Sequence, residues 1–170
     1  MNDAQAELLG LLAEEFGEGG LVVHVLPAGG ELPAQLVMPI DSGRSGRNLR
    51  IQVYFLPQVD DPPVLQYFVT LPYQLRREAM PTLARLICAL NASLPATGFE
   101  LSEPNRVVVF RHTHAINVQP LDPGVIAWTL TMIRSAIQGF GDLVEAVAGG
   151  LDLTTALVRL DQKLAELLEP

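Results

Sequence analysis

One cysteine, one lysine and one tryptophan are spread over 170 residues. A lone cysteine excludes any disulfide within the chain, so packing alone must hold the fold. Cys88 sits in the apolar run "RLICALNA", where a small buried hydrophobe is the expected role. Positive charge is also scarce: 11 bases face 19 acids, for a net charge of -8. An acidic chain repels phosphate backbones, which argues against nucleic acid as a partner. Long hydrophobic runs are missing as well. The best, "VIAWTLTMI", stops at Arg134 and is too short to span a bilayer, so no membrane partner is expected. The opening "MNDAQAELLG" lacks the basic stretch of a secretion signal, and a cytoplasmic location is the expectation.

What is present points to a packed globular domain. Apolar residues make up 49% of the chain and charged ones only 18%, which excludes disorder and suits one domain over residues 1–170. The ends are acidic and the middle is not: residues 41–111 carry eight arginines against six acids. Ordinary solvated faces explain that split, and a strip of arginine on a sheet is the sharper alternative.

Periodicity gives the elements. Leu9, Leu12, Ala13 and Phe16 have helical spacing over 4–16, and Gly17, Gly19 and Gly20 end that helix. Strands follow at 21–26, 35–40, 48–56 and 64–73, the second demoted to an edge or a strand end by Pro39. "DSGRSGR" reads as a polar loop. A helix spans 78–95, and two strands joined at Glu103-Pro104-Asn105 follow it. Asp122 then caps a long helix with Pro123 at its first position. Gly139 and Gly141 predict a kink or break in it, and Gly149-Gly150 ends it. A last helix covers 153–168. Strands grouped in hairpins mean α+β: an antiparallel sheet with helices packed on it.

The order helix, strand meander, central helix, hairpin and long helix resembles the type III secretion chaperone-like fold, and within it the YbjN-like bacterial family. The closest stretches are "RVVVFRHTHAI" and "LDPGVIAWTLTMIRSAIQGFGDLVEAV", with Arg111, Phe140, Asp142 and Leu143 in the positions such proteins favour. The likeness covers about residues 4–147; the helix after Gly150 and one strand are extra. It implies a small acidic homodimer that binds other proteins, and it brings no agreed catalytic residues to carry over.

Candidate chemistry is sparse. His112 and His114 share one strand face, but His24 lies on another strand, so a third metal ligand is missing and no metal is expected. Val108, Phe110 and Ile116 on the same face make a core-like neighbourhood. Hydrogen bonding near a strand end is the plainer role for the pair. No phosphate loop, dinucleotide fingerprint or nucleophile elbow occurs, and neither Glu14-Glu15 nor Asp60-Asp61 resembles a tuned carboxylate pair. The expectation is a non-catalytic, cofactor-free protein-interaction domain that takes a segment of another protein. Its partner face centres on Arg50 and Tyr54, joined by Tyr67 if register allows. The alternatives are a small-ligand domain with a pocket between sheet and helices, or an enzyme with a scattered site. The helix near Leu83, Leu86, Ile87 and Leu90 is apolar nearly all round, so it is buried on two sides, by the C-terminal helix or by a second subunit in a homodimer.

Overall fold

The computed structural model describes residues 3–30, 32–41, 48–60, 62–95, 98–116 and 122–168. Residues 42–47 of the expected polar loop "DSGRSGR" and the second acid of Asp60-Asp61 lie outside the described residues, while the loop's first residue, Asp41, ends a strand. Helix α1 (Asp3–Glu18) leads into strands β1 (His24–Leu26), β2 (Gln35–Asp41), β3 (Asn48–Asp60) and β4 (Pro63–Leu71). A single 3-10 turn (Arg77–Ala79) opens α2 (Met80–Ser93). The hairpin β5 (Phe99–Ser102) and β6 (Val107–Ala115), then α3 (Pro123–Ala148) and α4 (Leu153–Leu168), complete the chain.

The six strands form one antiparallel sheet in the order β1-β2-β3-β4-β6-β5. This is the α+β architecture that the strand grouping implies. Alternation sorts the side chains. Met38, Ile51, Val53, Leu65, Val69 and Phe110 join Leu9 and Phe16 of α1, Leu86 of α2, Ile133 of α3 and Leu160 of α4 in one continuous core. Val37 and Val109 are buried too, but outside that core, on the opposite face.

Local chemistry explains the helix ends. Asp122 accepts from the amides of Gly124 and Val125 at 2.9 and 3.4 Å, which caps α3. Gly20 and Gly150 have φ of +83° and +110°, where a side chain is disfavoured. At each, a six-residue and a four-residue backbone bond close the helix: Leu21 N to Phe16 O and Gly20 N to Gly17 O, then Leu151 N to Ala146 O and Gly150 N to Val147 O. That is the Schellman arrangement, and it turns the chain sharply after α1 and α3.

Several expectations change. Strand β2 is internal, paired with both β1 and β3. Its pairing with β1 stops at Val37, so the missing N–H of Pro39 leaves no ladder bond unmade. Helix α3 runs unbroken through Gly139 and Gly141. Gly141 serves packing: a Cβ there would come within 2.8 Å of the Tyr73 hydroxyl. Cys88 is exposed, because it shares a helical stripe with exposed Pro81, Arg85 and Ala92. Leu83, Leu86, Ile87 and Leu90 are buried in the chain's own core, and α2 contacts α3, α4 and β5. The second cover is therefore intramolecular, and those four side chains offer no surface to another subunit.

Candidate functional site

All four helices feed the single core, so the other face of the sheet is left without a helical cover among the described residues. One row crosses four strands on that open face: Val37, Gln52, Phe68 and Arg111 are consecutive cross-strand partners. Tyr54 pairs with Gln66 in the next row, and Arg50 pairs with Pro39 on the other side. The arginines and aromatics interleave. The Arg111 guanidinium lies 5.7 Å from the centre of the Phe68 ring, within cation–π range, and forms an ion pair with Glu100 at 3.2 Å.

Polar side chains brace this face. Gln66 donates to the Tyr54 hydroxyl, and Gln52 donates to Gln35 at 2.9 Å. Partial burial pushes the Tyr54 phenol up, while Gln66 and the nearby Arg111 charge pull it back. Tyr54 is thus a held, half-buried ring rather than a free surface side chain. Beside it the β5–β6 hairpin forms a concavity of about 660 Å³, lined by Phe68, Glu100, Val107, Val109 and Arg111 among others. The surface offers aromatic area, arginine charge and relief, the ingredients of protein recognition.

Arg50 and Tyr54 share this face, as their spacing implies. Tyr67 does not. It pairs with Val53 and His112, which puts it on the helix-covered side, fully buried. One residue of register decides the face, and register is set by the whole strand pair rather than by Tyr67 itself. Phe68 takes the place that Tyr67 was expected to hold. The missed residues Phe68 and Arg111 have a signal in sequence, alternation along each strand, but only the β4–β6 register joins them.

On the covered side Tyr67, His112 and His114 form a ring cluster. Centroids lie 5.6 Å apart for Tyr67 and His114 and 6.1 Å for each of the other pairs. The Tyr67 hydroxyl and the His114 Nε2 are buried without hydrogen-bond partners. Burial pushes the Tyr67 phenol far up; burial, then the neighbouring His112, pull the His114 imidazole down. His24 is on β1, separated from β6 by three strands. Among the described residues no three His, Cys, Asp or Glu side chains gather around a metal-sized space. No helix among them is long and apolar enough to cross a membrane.

The YbjN family model, described as "Putative bacterial sensory transduction regulator", matches residues 41–146. The match takes in β3 through most of α3, and so the part of the open face on β3, β4, β5 and β6, while β1 and nearly all of β2 precede it. No curated protein and no solved structure matches the chain.

Proposed function

The chain belongs to the YbjN family, and from that premise we propose that it is a non-catalytic module that holds a segment of another protein on its open sheet face. The observation that carries the reading is the band of Tyr54, Phe68 and Arg111 on a face that no described helix covers. A sheet face that is only solvated needs no aromatic side chains braced by a glutamine and an arginine. The partner segment is extended or amphipathic, with acidic residues to meet Arg50 and Arg111 and an apolar residue to enter the concavity. The family description fits a protein that works by contact rather than by turnover.

A photo-crosslinking amino acid at Phe68 in the native host tests this. It is expected to trap one defined segment, whereas the same group at Val158, on an exposed part of α4, traps none of it. The purified segment then binds the wild type, and Arg50→Ala with Tyr54→Ala weakens binding at least tenfold in a variant that still unfolds cooperatively. Equal trapping from both positions, or unchanged affinity in the double variant, overturns the reading.

A further inference from the structure

A second recessed surface lies on the other side of the sheet. Gly20, Leu21 and Val22, at the turn after α1, face the α3 residues Ala127, Leu130 and Arg134 across a groove. Its floor is Met38, Ile40 and Ile51 of β2 and β3, and its volume is about 250 Å³. The walls are firm. The Schellman closure at Gly20 fixes where Leu21 leaves α1. The Thr131 hydroxyl in the lining already donates to the Ala127 carbonyl at 2.9 Å, so it stays folded onto its own helix.

Two features give the groove a chemical preference. First, Leu21 and Val22 are about half exposed at its rim, apolar surface that water covers poorly. Second, Arg134 is the one charged residue in the lining, and it has no ion pair among the described residues. In a chain of net charge -8, a guanidinium beside an apolar slot, with no ion pair among the described residues, is a local reversal of sign. Guanidinium forks match carboxylates with two parallel hydrogen bonds. The volume falls just below the range of roughly 300–1,000 Å³ common for small-molecule pockets, so the occupant is small.

We propose that this groove binds an aliphatic carboxylate of medium length, about eight carbons, tail on Met38, Ile51 and Leu130 and head group on Arg134. Of the groove's lining only Pro39 belongs to the open face, and neither Tyr54, Phe68 nor Arg111 borders it, so either reading can fail alone.

The test is a titration of the full chain with octanoate and with octanol, followed by carbon-13 methyl shifts. Octanoate is expected to saturate one site, moving Met38, Ile40, Ile51 and Leu130, and octanol to bind at least tenfold more weakly. Arg134→Met should bring octanoate down to or below the level of octanol, while octanol binds at least as well as before. Ala127→Phe should block both; Val22→Trp, at an exposed rim position, does the same should the first variant fold poorly. The proposal is overturned by the absence of saturable shifts at millimolar octanoate, by equal binding of octanol, or by full octanoate affinity in Arg134→Met. Shifts confined to Val37 and Val109 would place the amphiphile on the open face and overturn it equally.

Discussion

The ring of Tyr67 stacks on that of His114, 5.6 Å between centroids and 24° between planes, and neither the phenol oxygen nor the imidazole Nε2 has a hydrogen-bond partner. Thr129 lies close enough to weigh on this phenol without making a hydrogen bond of good geometry to it, and its own hydroxyl donates to the Val125 carbonyl at 2.8 Å. Losing an unpaired buried hydroxyl costs little, because its desolvation is relieved together with it. Tyr67→Phe is therefore expected to match or exceed the wild type in chemical denaturation at neutral pH. A loss above about 2 kcal/mol, well beyond a typical net hydrogen bond, would contradict the unpaired hydroxyl.

The same phenol makes stability fall in alkali. Burial raises its pKa in the folded chain above the ordinary 10.0. The unfolded chain then loses its proton first, so stability is full below pH 10.0 and declines as pH climbs beyond it. Denaturation midpoints measured above that pH should drop more steeply in the wild type than in Tyr67→Phe.

His114 acts with the opposite slope. Its pKa is lowered from 6.5, first by burial and then by His112. Below pH 6.5 the unfolded chain binds the proton more readily, so stability is full above that pH and is lost as pH falls through the window down to the folded value. His114→Gln should flatten the stability profile on the acid side of pH 6.5; an unchanged slope would remove His114 as its source.

Gly98 is held for space. A Cβ there would sit 2.5 Å from the Phe110 ring and 2.8 Å from the Arg111 carbonyl oxygen. The Gly98 carbonyl accepts from the Arg111 amide at 2.7 Å, and Asn91 ties the Gly98 and Phe99 amides to α2. Gly98→Ala is expected to cost about 1–3 kcal/mol by overpacking. Thermal melting should show a drop of about 2–4 °C for each kcal/mol in a chain of this size.

Leu86 separates a core role from an interface role. It is fully buried within one chain. Leu86→Ala should cost about 2–5 kcal/mol in unfolding free energy. Light scattering on the folded variant should give the same mass as the wild type, whatever that mass is. A lighter particle of unchanged stability would return Leu86 to an interface.

Where a feature rests on neighbours in sequence, it was readable before the fold was known. Asp122-Pro123 announced the start of α3 and Gly149-Gly150 its end, because capping is decided within a turn of chain. The all-round apolar helix was correctly legible as doubly buried, but what covers it depends on how α3 and α4 return, which no local pattern encodes. Gly141 looked like a weak point because its partner, Tyr73, is far away in sequence. Arg50 and Tyr54 were visible on one strand; Phe68 and Arg111 needed the β4–β6 register, and Tyr67 fell on the wrong side of the sheet for the same reason. The groove under Arg134 draws on four separate segments and leaves no mark on any one of them.

The strand order also bears on how the chain comes together in time. Every pairing but one joins strands that follow each other in sequence. The four-stranded meander and the β5–β6 hairpin can each zip up locally, and only the β4–β6 seam has to wait for the segment containing α2 and β5 to loop back. That seam aligns Tyr67 with His112 on one side and Phe68 with Arg111 on the other. The seam completes both features at once: the meander already carries Tyr54, Tyr67 and Phe68, and β6 brings His112 and His114 to one side and Arg111 to the other.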